Sequence, residues 1–178
     1  MLRSLSFGLP LVLLATVAAA PGGPAMLDTQ WTKAAQAVAA KGNGNIKLPE
    51  IRVYDARGRL VLRSFDGGLP GTIVPRVAAA LRSGKAVAGP SLVQTMTALE
   101  TRDGRAALPR VRAAGRITVV DYWATWCVGC KVVSRELAAW AAAQGGKVLL
   151  VRAETDPMKG RAVQHRYFDK DGKELKAD

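Results

Sequence analysis

Residues Arg116 to Lys131 read R-I-T-V-V-D-Y-W-A-T-W-C-V-G-C-K. The run Ile117 to Val120 is apolar on both of its alternating faces and β-branched, which suits a strand covered on both sides. The chain's two cysteines follow at Cys127 and Cys130. Next comes K-V-V-S-R-E-L-A-A-W-A-A-A, free of helix breakers, with Val133, Leu137 and Trp140 at helical spacing. This order predicts a strand that delivers Cys127 to the first turn of a helix. The unpaired N–H groups and the positive dipole end at such a turn favour a thiolate. A thiolate is the attacking form in disulfide exchange. Cys130, one turn on, is close enough to close a disulfide with it. Gly129 keeps the bridge uncrowded and Lys131 adds a positive charge. Asp121, six residues before Cys127, falls at the end of the strand, where a half-buried carboxylate can take or give a thiol proton.

Asp121-Tyr-Trp-Ala-Thr-Trp-Cys-Val-Gly-Cys-Lys131 resembles the active-site segment of the thioredoxin superfamily. Its W-C-V-x-C-K form is most similar to the C-terminal domain of DsbD-type interchange proteins and related periplasmic thioredoxin-like proteins. The resemblance covers roughly residues 108 to 153. It implies an α/β fold with a thioredoxin-like central sheet flanked by helices. It also implies an attacking role for Cys127, a resolving role for Cys130 and a buried acid at Asp121. Trp123 and Trp126 would pack around the pair, with Trp126 and Lys131 on the side that receives substrate.

The spacing also bears on what the cysteines are for. A bridge closing a two-residue loop restrains the unfolded chain very little, because the entropic benefit grows with loop length. The pair therefore reads as a redox couple rather than a staple. A zinc site needs about four ligands at close range. Cys127 and Cys130 supply two, and His165 is the only histidine. No metal and no cofactor are expected, and one histidine gives no Ser/His/Asp set.

The N-terminus has the pattern of an export signal. Arg3 is followed by an apolar stretch from Leu5 to Ala15, then by Val17-Ala18-Ala19-Ala20 as small residues for cleavage. The apolar stretch is short of a bilayer span and contains Pro10, so residues 1–20 are expected to be removed rather than to anchor the chain. This predicts a periplasmic or otherwise exported protein with no stable membrane insertion. The net charge is +12, but the basic residues are scattered. Excess charge of this kind directs solubility and partner choice rather than fold. Nucleic acid is not expected as a partner. Proteins bearing thiols or disulfides are, with an acidic protein partner or an anionic membrane surface as the reading of the charge and a membrane electron donor as a further candidate.

Outside the central stretch, Asp28 is expected to cap a helix over 29–41. Leu48 to Ser64 alternates as a β-hairpin with its turn at Ala56-Arg57-Gly58, and Thr72 is expected to cap a helix ending at Gly84. Leu92 to Leu99 reads as a strand and Leu108 to Ala114 as a short helical lead-in. Lys147 to Ala153 reads as the next buried strand.

Pro49 to Gly58 is similar to the closing hairpin of the thioredoxin fold, which begins with a cis-proline. It lies ahead of the Cys-x-x-Cys half instead of behind it. Two arrangements follow. In the one favoured here, 21–88 is a separate small α/β module and 89–178 a shortened thioredoxin-like domain. In the other, the hairpin completes the sheet of the later half, as in a circular permutation. Near the C-terminus, counting back from Asp171-Gly172 puts Val163 where the family has its cis-proline, and the final helix is missing. The functional expectation is an exported thiol–disulfide oxidoreductase working through Cys127 and Cys130. The alternative is a non-catalytic binding or assembly module with a degenerate or metal-handling Cys-x-x-Cys.

Overall fold

A computed structural model describes residues 26–41, 46–65, 70–112, 115–156 and 162–164. The expected leader, the loop over 42–45, His165 and the hairpin over 166–175 lie outside the described residues. Six strands form one mixed sheet, and two short ones form a separate parallel pair. In chain order the main-sheet elements are β1 Met26–Trp31, β3 Glu50–Tyr54, β4 Leu60–Ser64, β5 Leu99–Thr101, β6 Ile117–Trp123 and β7 Val148–Glu154. The separate pair is β2 Ile46–Leu48 with β8 Ala162–Gln164. The helices are α1 Lys33–Lys41, α2 Ile73–Ser83, α3 Leu92–Thr97, α4 Ala107–Arg112 and α5 Val128–Ala143.

The strand order is β4-β3-β6-β7-β1-β5. The strand before the cysteines is central, as its doubly apolar character requires. It runs parallel to β7, with Val119 opposite Leu150 and Asp121 opposite Arg152. On its other side it runs antiparallel to β3, with Val53 opposite Val119 and Glu50 opposite Tyr122. This pairing corrects the expectation of a separate module over 21–88. The hairpin β3–β4 and β1 flank β6 and β7 in one sheet, so the early half of the chain completes the fold of the later half. The apolar edges of β6 and β7 cannot be left open to water, and β3 and β1 cover them.

Helices cover both faces, because both faces of the central strands are apolar. On one side α2 and α5 bring Ile73, Val77, Val133, Leu137 and Ala141 against Val53, Val119 and Leu150. On the other, Met96, Ala107 and Val111 from α3 and α4 meet Tyr54, Val120 and Val151.

Two local expectations are also corrected. Residues 26–31 form a strand and not the start of a helix, because β1 docks between β7 and β5, with Leu27 and Thr29 buried. The helix starts only at Lys33, and the Thr32 hydroxyl accepts from Ala35 N at 3.1 Å. Leu92–Thr97 is helical rather than extended. Its start carries a capping box, in which Ser91 Oγ accepts from Gln94 N and Gln94 Oε1 accepts from Ser91 N. The helix over 73–83 ends as expected, with Gly84 in the left-handed conformation at φ 59°. Thr72 occupies its N-cap position without a side-chain capping bond.

Candidate functional site

Asp121, Tyr122 and Trp123 close β6 in succession, and alternation along the strand separates them. Asp121 faces α5, while Tyr122 joins the opposite cluster. The connection to α5 is tightly fixed. Thr155 donates to Trp123 O from its backbone N at 2.8 Å and from its hydroxyl at 2.9 Å. Thr125 N donates to Asp156 Oδ1 at 2.8 Å, and Cys127 N donates to Ala124 O at 3.1 Å. Cys127 is thereby held at the N-cap of α5 in an extended conformation, φ −90° and ψ 104°.

Cys127 and Cys130 are joined by a disulfide. Cys130 N donates to Cys127 Sγ at 3.2 Å, so the sulfur fills the role that an oxygen plays at an ordinary helix start. A negative charge developing on that sulfur is favoured there by the same N–H and by the helix dipole.

Beneath the pair, Asp121 is completely buried. The Ser134 hydroxyl donates to Asp121 Oδ2, whereas Oδ1 has no hydrogen-bond partner among the described residues. Burial pushes the carboxyl up to about 6, while the Ser134 hydrogen bond and the charge of Arg152 pull the other way. Ser134 is four residues beyond Cys130, hence on the same face of α5. The chain thus places an acid that titrates near neutrality on the α5 face that also carries Cys130. Sequence reasoning missed Ser134. The signal was available in its spacing from Cys130, but a serine inside an alanine-rich helix has no distinguishing local pattern.

Trp123 and Trp126 are half-buried and pack against the cluster that contains both cysteines, along with Leu48 and Tyr122. The guanidinium of Arg152 lies 4.4 Å from the Trp123 ring centre and so braces that indole. Lys131 is half-buried on the first turn of α5, its backbone N donating to Cys127 O at 3.3 Å. In this conformation Cys127 has 0% exposure.

A cis-proline is present in the other half of the chain. The Leu48–Pro49 peptide is cis, and Leu48 belongs to the same cluster as Cys127 and Cys130. Val163 is instead in β8, opposite Lys47 in the parallel β2–β8 pair. Among the described residues, no helix is long and apolar enough to cross a membrane.

Residues 108–166 match the thioredoxin family model. The thiol:disulfide interchange protein DsbD 2 of Pseudomonas aeruginosa is 33% identical over 64 residues, covering 34% of this chain and 11% of that protein. The chain therefore spans about a tenth of the length of this curated relative. No solved structure matches the chain. A strand, a Cys-x-x-Cys at a helix start, a buried acid on that strand and a cis-proline accompany that match, and residues 108–166 resemble the thioredoxin superfamily and the interchange protein DsbD 2.

Proposed function

We propose that this chain is an exported thiol–disulfide oxidoreductase that exchanges disulfides with partner proteins through Cys127 and Cys130. The observation that carries the reading is the Cys127–Cys130 bridge at the N-cap of α5 above a buried Asp121 with one unpartnered oxygen.

In the reducing direction, the Cys127 thiolate attacks a sulfur of the partner's disulfide. A mixed disulfide forms and the partner's other sulfur leaves as a thiolate. Cys130 then loses its proton to Asp121 and attacks Cys127 Sγ. The Cys127–Cys130 bond forms, the mixed disulfide breaks, and the partner departs as a dithiol. In the oxidising direction the same steps run backwards and Asp121 returns the proton. Trp126 and Lys131 flank the incoming partner, and a membrane electron donor restores the dithiol. Because Cys127 is buried, each cycle includes a local opening that exposes its sulfur before attack.

Replacing Cys127 by Ser is expected to abolish dithiothreitol-driven insulin reduction. Replacing Cys130 by Ser is expected to accumulate a mixed disulfide, visible as a mass increase. Wild-type turnover in both variants would reject the mechanism. The complete burial of Cys127 favours a second reading, a non-catalytic binding or assembly module that keeps a closed bridge. The same assay separates the two, since a module does not accelerate insulin reduction.

A further inference from the structure

On the sheet face opposite α2 and α5 lies a cavity of about 310 Å³ that the exchange chemistry leaves unused. It flanks the cis-proline. Lys47, two residues before Pro49, and Glu50, directly after it, both line the cavity. Its walls include aromatic rings. Trp31 and Tyr122 meet edge-to-face with centroids 6.1 Å apart, and Phe65 contributes a third ring. Tyr122 belongs to the cluster that holds both cysteines, Trp31 packs against that cluster, and Glu50 pairs with Tyr122 near the end of β6 that leads to Cys127.

Among the described residues, the charges in this cavity are arranged and unbalanced. Glu50 Oε1 accepts from Arg52 Nε at 2.7 Å and from Arg63 Nε at 2.9 Å. Arg52 Nη1 also donates to Tyr122 Oη at 3.0 Å and to Thr95 Oγ1 at 3.1 Å. The two guanidinium groups lie 4.6 Å and 4.5 Å from the ring centres of Tyr122 and Phe65. One carboxylate thus positions two arginines on aromatic faces, and Lys47 adds a third cation. The buried Trp31 Nε1 is a further donor without a partner among the described residues. Cations held in place before a ligand arrives lose little freedom on binding, and planar guanidinium groups suit a carboxylate. The volume is at the low end for ligand pockets, enough for one or two side chains.

We propose that this cavity is a specificity subsite that takes an acidic residue, flanked by an apolar one, from the partner polypeptide beside its reacting cysteine. The inference rests on the redox reading of the Cys127–Cys130 pair.

The test uses full-length oxidised protein and short peptides in which Ser replaces the reacting cysteine. The Ser is flanked by Leu-Glu in one peptide and by Leu-Gln in the other. Binding is followed by calorimetry and tryptophan fluorescence. The Glu peptide is expected to bind about tenfold tighter than the Gln peptide, with the preference shrinking as salt is raised. Lys47→Gln and Arg63→Gln are each expected to weaken the Glu peptide about fivefold and to leave the Gln peptide unchanged. Lys47 is exposed, so its variant carries the test should loss of a Glu50 partner unfold the other. Equal affinities for the two peptides, absence of saturable binding, or a preference that survives both substitutions overturns the subsite. So does tighter binding to anionic phospholipid vesicles than to the Glu peptide. Insulin reduction run in parallel keeps the two ideas apart. Turnover without peptide preference removes only the subsite, and preference without turnover removes only the redox reading.

Discussion

Asp121 links the stability of this protein to its chemistry. Its carboxyl is raised from 3.8 to about 6 by burial, so the folded state favours the protonated form. Stability from this group is fully present below the unfolded value and is lost as pH rises through the folded one. A shift of about two units corresponds to roughly 3 kcal/mol. Asp121→Asn is therefore expected to stabilise the oxidised protein by about 2–3 kcal/mol at pH 8 and hardly at all at pH 4. Urea unfolding across that pH range checks it, and parallel wild-type and variant curves would refute it. Ser134 pulls the carboxyl down, so Ser134→Ala should move the midpoint of the wild-type pH profile upward. A midpoint that stays put or falls would show that the hydroxyl does not reach the carboxylate.

Among the elements, α5 does two jobs: its first turn holds the bridge and its later turns anchor the sheet. Leu137 has no exposed surface and packs among Val119, Val133, Leu150 and the residues of α2. Leu137→Ala is expected to cost about 2–5 kcal/mol, because a cavity is left between α5 and the sheet. The loss should appear as a lower urea midpoint with an unchanged slope. On the opposite face, the six-residue helix α3 depends on its capping box. Ser91→Ala is expected to cost about 1 kcal/mol, again read by urea unfolding. A loss below a few tenths of a kcal/mol would mean that packing of Met96 and Thr95 holds α3 without the cap.

The whole molecule is one sheet assembled from two distant pieces of chain. Residues 89–178 alone retain β6 and β7 but lose β3 and β1, the strands that cover their open edges. This fragment is expected to show no cooperative thermal transition, and addition of residues 21–88 in trans should restore one. A fragment that melts cooperatively by itself would show that the early half is dispensable for the fold. Removal of the early half also takes away Pro49 and the Lys47–Glu50 wall, and with them the proposed subsite.

Much of the site was legible locally. The doubly apolar run Ile117 to Val120, the Cys-x-x-Cys and the breaker-free segment after it specified strand, turn and helix. Local periodicity and capping are enough to choose element type. The strand-end position of Asp121 followed from the same pattern. Tertiary structure decided the rest. It made Met26 to Trp31 a strand, because β7 and β5 offered it partners more than 65 residues away in the chain. It put Leu48 in one cluster with the cysteines, joined Ser134 to Asp121 and buried Cys127. Each of these depends on which surfaces meet across long stretches of chain. That choice is made by burying complementary apolar edges and pairing buried polar groups, and no window of neighbouring residues contains it.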